Sequence, residues 1–126
     1  MFRRMLKSKI HEGTVTGLDV YHEGSIAVDE NIMDLADLRP YEKVLVADCD
    51  NNNRFETYII PATRGSGKIE ILGATAPLSE KGHRVNILAF GDYYESELEK
   101  FYNRKVIVLD KENKVKDESR YSLQQG

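Results

Sequence analysis

Short apolar segments rich in β-branched residues recur along this chain, and their length and alternation constrain the fold more than any other feature. They run from Ile10 to Thr16, Ser25 to Val28, Lys43 to Ala47, Phe55 to Ile60, Lys68 to Leu72, Arg84 to Phe90 and Lys105 to Leu109. Side chains on a strand alternate between two faces, so this pattern predicts a mainly β sandwich or barrel. Between the segments, Asp50-Asn51-Asn52-Asn53 carries side chains that tolerate tight turns, and Gly65-Ser66-Gly67 supplies permissive backbone. Each reads as a connection between strands. Two small helices are expected to cap the β core. Asn31 to Asp37 puts Ile32, Leu35 and Ala36 on one face, and Tyr93 to Tyr102 gathers Leu98, Phe101 and Tyr102 after acidic Glu95 and Glu97.

A chain of 126 residues fits one domain, read here as residues 1–115, with 116–126 as a loose polar tail or a subunit contact. Its 18 basic and 21 acidic residues are not gathered into blocks, so nucleic acid is not an expected partner. The single cysteine, Cys49, excludes an internal disulfide framework and a multi-cysteine zinc site, which favours the reducing cytoplasm and a part-buried structural role. Met1 to Lys9 is basic but lacks the apolar run of a signal peptide, and no segment is long enough to span a membrane. His11, His22 and His83 lack paired ligand spacing, so no metal is expected. Arg64-Gly65-Ser66-Gly67-Lys68 lacks the spacing of a P-loop and reads as a hairpin connection.

The chemistry lies in Tyr21-His22-Glu23-Gly24-Ser25-Ile26-Ala27-Val28-Asp29, where a Gly-Ser bond directly precedes an apolar strand. Glycine has no side chain and adopts angles closed to other residues, so a turn can hold the Gly24 carbonyl within reach of Ser25 Oγ. Attack there turns an amide into an ester, given donors aimed at the developing oxyanion. Elimination across Ser25 then breaks the chain and leaves, after hydrolysis, a ketone at the new N-terminus: a pyruvoyl group. Alone, Gly-Ser fits an ordinary turn far better than a cleavage site.

Several separated motifs change that weighing: Met5-Leu6-Lys7-Ser8-Lys9-Ile10-His11, Glu23-Gly24-Ser25, Arg54-Phe55-Glu56-Thr57-Tyr58, Arg64-Gly65-Ser66 and Gly73-Ala74-Thr75-Ala76. In order and spacing the chain resembles the pyruvoyl-dependent aspartate 1-decarboxylase family. The resemblance implies a double-psi β-barrel assembled as a homotetramer, with active sites between neighbouring subunits and cleavage between Gly24 and Ser25. It implies decarboxylation of L-aspartate to β-alanine through a Schiff base with the Ser25-derived pyruvoyl group, supplying pantothenate synthesis. By similarity, Lys9 and Arg54 hold the substrate's carboxylates, for which arginine's fork is well suited. Tyr58 matches the family's proton donor, since a phenol can hand a proton to a carbanion-like centre. Thr57 matches a threonine associated with maturation, and Gly73, Ala74 and Thr75 match a segment whose small side chains let backbone amides reach the substrate. Alternation puts Arg54 and Tyr58 on one strand face, where both could meet one ligand.

The chain departs from the family pattern at His22, where tyrosine is usual, at Leu72, where an asparagine commonly orients the scissile carbonyl, at Asn86, where an apolar residue is expected, and at Pro77. Leucine cannot donate that hydrogen bond, which suggests Leu72 and Asn86 as an exchanged pair with Asn86 restoring the amide. Two alternatives remain open at this level: a pyruvoyl decarboxylase with a shifted substrate, and an unprocessed barrel acting as a binding subunit. The sequence also leaves open a maturation factor.

Overall fold

A computed structural model describes residues 1–123. Among them, nine strands dominate: β1 (Phe2–Thr14), β2 (Gly17–Asp19), β3 (Ser25–Asp29), β4 (Lys43–Asp48), β5 (Arg54–Ala62), β6 (Ile69–Leu72), β7 (Arg84–Tyr94), β8 (Asn103–Leu109) and β9 (Val115–Ser122). Two short helices, α1 (Glu30–Leu35) and α2 (Glu95–Phe101), and a 3-10 helix at Gly73–Leu78 complete the described residues. The mainly β expectation holds.

The strands run in the order β2-β6-β3-β5-β4-β7-β1-β8-β9. Alternation builds the core as the sequence pattern requires: Val44 and Val46 of β4, Val85, Ile87 and Ala89 of β7, and Ile107 and Leu109 of β8 all turn inward. The sheet curls back on itself. A Cβ on Gly13 of β1 would lie 2.5 Å from Ile69 Cδ1 of β6, and the Thr16 N–H donates to the Ile69 carbonyl at 2.8 Å. Two strands carry the architecture. β1 lies between antiparallel β7 and parallel β8, and β3, buried at all five residues, lies between parallel β5 and antiparallel β6.

Four expectations need correction. β1 begins at Phe2, because its polar first half is held by pairing with β7 and by the ion pairs Arg3–Glu95 and Arg4–Asp92. The stretch read as a loose tail is largely β9, paired with β8 from Leu109↔Val115 to Asn103↔Ser122. Its side chains are exposed on both faces, so no apolar alternation marked it; residues 124–126 of that tail lie outside the described residues. The Gly65–Gly67 connection is not a hairpin, since β3 separates β5 from β6. Its backbone N–H groups at Gly65 and Gly67 donate to the Asp29 carboxylate at 3.0 and 2.9 Å, so the chain's own anion fills this phosphate-like loop. Cys49 is exposed rather than part-buried, because Asp48 turns inward and the next residue must turn out.

Candidate active site

Gly24 has φ +104°, and Ser25 opens β3 with no solvent exposure. Ile26 and Val28 enter the core, so alternation sends Ser25 and Ala27 to the other face. The Cα partner of Ser25 is Leu72, the last residue of β6, which also stays outside the main core. Directly after it, Gly73 has φ +83° and opens the 3-10 helix. A Cβ on Gly73 would lie 2.4 Å from Gly24 Cα, 2.5 Å from Gly24 N and 2.9 Å from the His22 carbonyl oxygen. This is backbone packed on backbone, and it tolerates no side chain at position 73.

Two hydroxyls here are buried without a partner, Ser25 Oγ and Thr75 Oγ1. Burying a polar atom unpaired costs about 1–3 kcal/mol, so each calls for a reason beyond folding. The parallel register of β3 and β5 sets Ile26 beside Ile59; one residue back, Ser25 comes level with Tyr58, about 5 Å away strand to strand. Tyr58 is half-buried, its ring centroid 5.7 Å from that of Tyr41. One chain thus gathers Gly24, Ser25, Tyr58, Leu72, Gly73 and Thr75, with Ala74 exposed at the rim.

The other site residues fall elsewhere in the chain. Lys9 pairs with Leu88, and a row across three strands joins Arg54, Ala47 and Asn86. Neither Lys9 nor Arg54 has an ion-pair partner among the described residues, unlike Lys7, Lys43, Arg64 and Arg84. Arg54 and Tyr58 share a face but stand four residues apart on β5, about 13 Å, with the Lys43–Glu56 ion pair along the same stretch. Thr57 points to the opposite face, with Phe55 and Ile59. The His22 side chain is exposed, and only its backbone carbonyl meets Gly73.

Asn86 does not stand in for an asparagine at position 72 within this chain. Its Oδ1 accepts from the Glu12 N–H at 2.9 Å, closing the β1 bulge where Glu12 has φ 59°. In the sheet, β3, β5 and β4 separate its strand from Leu72. Pro77, a departure from the family pattern, sits inside the 3-10 helix.

Sequence reasoning missed a second polar cluster, at the far end of the 3-10 helix. Buried Asp48 accepts from Ser79 Oγ at 2.6 Å, from the backbone N–H of Asp50 and Asn51, and pairs with His83 Nδ1 at 2.8 Å. Asn51 and Asn53 both donate to the Leu78 carbonyl at 2.9 Å. Burial pushes the Asp48 carboxyl up, but the hydrogen bonds from Ser79, His83 and the turn amides outweigh it and hold the group below the usual carboxylate range. The bond to Asp48 raises His83 in turn. Asp48, Asp50 and His83 bring ligand atoms within 4.8 Å of one another, yet the Asp48 oxygens are already occupied, and the group acts as a brace. Only the residue types, not their spacing, hinted at it.

Comparison with known proteins places the chain in a family. A family model described as "Aspartate decarboxylase" matches residues 1–116. Proteins named "Aspartate 1-decarboxylase" are similar over most of the chain. The one from Fervidobacterium nodosum is 44% identical over 117 residues, covering 93% of this chain and 98% of its own length. That from Thermosipho africanus is 48% identical over 111 residues, covering 88% and 90%. That from Leptospira biflexa is 42% identical over 116 residues, covering 92% and 98%. With the model matched almost from end to end and these relatives covered nearly whole, the chain belongs to the aspartate decarboxylase family.

Proposed function

We propose that this chain decarboxylates L-aspartate to β-alanine and carbon dioxide, after cutting itself between Gly24 and Ser25 and converting Ser25 into a pyruvoyl group. One observation carries the reading: the Gly24 backbone is seated against Gly73 while the neighbouring Ser25 Oγ is buried without a partner. A nucleophile tied into a stable hydrogen bond would have to be freed first; this one is not tied. Ser25 Oγ bonds to the Gly24 carbonyl carbon, the peptide C–N bond breaks, and the hydroxyl proton passes to the freed nitrogen. Loss of the Ser25 Cα proton then expels the Gly24 carboxylate from Cβ, and water replaces the nitrogen, releasing ammonia and leaving a ketone. The cradle fits such a group, since it already encloses a small side chain at the start of a buried strand. A pyruvoyl carbonyl supplies an electron sink for carboxylate loss.

The rest falls to the chain's own residues. Lys9 and Arg54, cations without carboxylate partners here, bind the two carboxylates of aspartate. Tyr58, level with Ser25, holds the proton that replaces carbon dioxide. Because Arg54 stands about 13 Å along β5 from that level, the cations of one copy serve the Ser25 of a neighbour. This favours a homotetramer of double-psi β-barrels with sites between subunits, working in the cytoplasm, with cleavage driven by the chain's own strain or aided by a maturation factor. No helix among the described residues is long and apolar enough to cross a membrane.

Intact mass of purified protein tests the cut directly. Wild type is expected to resolve into Met1–Gly24 and a fragment beginning at position 25, and to form β-alanine from L-aspartate. Ser25→Ala is expected to stay whole and inactive. A wild-type chain that folds, stays uncut on long incubation and yields no β-alanine defeats the reading.

A further inference from the structure

We infer that Tyr41 is a positioning residue for the decarboxylation step: its ring fixes the ring of Tyr58, so that the Tyr58 hydroxyl stays in reach of position 25. This rests on the reading above, which takes Tyr58 as the group that returns a proton. Tyr41 stands in a bulge. Beyond the pair Lys43↔Tyr58, Ile59 faces two residues at once: the Tyr41 N–H donates to the Ile59 carbonyl at 2.7 Å, and the Ile59 N–H donates to the Glu42 carbonyl at 3.0 Å. Two residues opposite one, the first of them left-handed, form the bulge that ordinarily carries glycine at that first place. Here the first place is Tyr41, at φ +71°. Asp37, Asn52 and Asn113 also have positive φ, but their short polar side chains visit that region readily. Tyr41 is the only aromatic residue there among the described residues.

Burial does not explain this strain, since Tyr41 is 74% exposed and its ring fills no core. Its backbone, by contrast, is held on both sides. Glu42 donates its N–H to the Arg39 carbonyl at 3.1 Å, and its carboxylate accepts from the Arg39 N–H at 3.1 Å and from the Lys7 ammonium at 2.8 Å. A bulky side chain kept at a glycine place by a surrounding that over-determines it calls for a role other than folding. What the ring touches supplies one: the Tyr41 and Tyr58 rings lie with centroids 5.7 Å apart and planes at 31°. No hydrogen bond among the described residues holds the Tyr58 hydroxyl, so this ring contact is what orients the phenol. In the step itself, the electron pair left behind by carbon dioxide takes the Tyr58 hydroxyl proton to form a C–H bond, and the phenolate recovers a proton from water. Such a transfer needs hydrogen-bond reach, so a phenol free to swing away slows turnover without loosening the grip on the carboxylates.

The experiment compares full-length wild type, Tyr41→Gly, Tyr41→Phe and Tyr58→Phe, each checked for the cut by intact mass. It reads kcat and KM for L-aspartate, the thermal midpoint, and the motion of the Tyr58 ring by fluorine relaxation in protein labelled with 3-fluorotyrosine, the Tyr58 signal being the one that Tyr58→Phe lacks. Tyr41→Gly is expected to cut as wild type does and to melt no lower, because glycine relieves the positive φ. Its kcat should fall roughly tenfold, the order one aromatic pair supports, with KM within about twofold and a freer Tyr58 ring. Tyr41→Phe keeps the ring and should restore both kcat and the restrained Tyr58. Wild-type kcat in Tyr41→Gly, or an unchanged Tyr58 ring motion, overturns the inference while the proposed function survives. A lowered midpoint with loss of kcat that phenylalanine does not restore marks mere packing and overturns it too. Full turnover in Tyr58→Phe removes the proton donor and this inference together, but leaves the cut and the decarboxylation standing. Wild type that never cuts defeats the whole reading.

Discussion

The two ends of the 3-10 helix treat buried polar groups in opposite ways. At its start, Ser25 Oγ and Thr75 Oγ1 are buried and unpaired beside two glycines with positive φ. At its end, Asp48 has its acceptor positions taken by Ser79, His83 and two turn amides. Both clusters contain hydroxyls, and a reader of residue types alone would choose the second, since it holds a serine, a histidine and an aspartate. Yet satisfied groups brace a fold, while groups left unsatisfied at a cost are available for chemistry. In the second cluster, moreover, the aspartate lies between serine and histidine, so no base is aimed at the hydroxyl.

Changes at either end should separate these roles. The largest effect is expected at the start. Gly73→Ala places a methyl 2.4 Å from Gly24 Cα at a φ of +83°, so it should destabilise the chain by about 3 kcal/mol and stop cleavage. Denaturant melts and intact mass would report both; a variant that cuts normally would mean that the backbone contact is dispensable. At the other end, Asp48→Asn keeps one acceptor oxygen but withdraws the anion from His83, with an expected loss of about 2 kcal/mol in a denaturant melt and an unchanged rate of cutting in the protein that remains folded. Impaired cutting in a fully folded Asp48→Asn protein would join the two clusters into one machine.

The smallest effect is a pH dependence confined to the brace. His83 is raised above the ordinary histidine value of 6.5, so its contribution to stability is fully present below that value and is lost as pH climbs through the folded one. Asp48 is lowered from 3.8, so its contribution is present above that value and is lost as pH falls through the folded one. The groups facing His83 are Asp48, Glu80 and Asp50. Thermal midpoints taken from about pH 5 to pH 9 should therefore decline more in wild type than in His83→Gln; matching slopes would assign the dependence to other groups.

Much of the fold was readable because apolar alternation reports burial on one face, as Val44, Val46, Val85 and Ile87 do. The same logic fails where a strand has no buried face. β9 presents Lys116, Asp117, Glu118 and Arg120 to solvent and looks like a tail. β2 is too short for a period to appear, and the Gly73–Leu78 helix is too short to show an amphipathic face. At the site, Gly24-Ser25 and Gly73-Ala74-Thr75 were each visible as motifs. Their contact was not, because it depends on the pairing of β3 with β6, which brings together segments distant in the chain. The commitment of Asn86 to a bulge in β1 was equally hidden, since nothing local to Asn86 signals the irregularity across the strand pair.

The position of β1 has a consequence for the life history of the molecule. A break after Gly24 would leave β1 and β2 on the shorter piece, yet β1 is wedged between β7 and β8 and cannot leave without opening the sheet. The product would be two polypeptides that unfold as one but, once parted, must find each other by diffusion. Renaturation would turn from first order to second order, and dilution alone would oppose it. Such a protein has to reach its native shape while still in one piece, because severance withdraws the tether that made assembly easy.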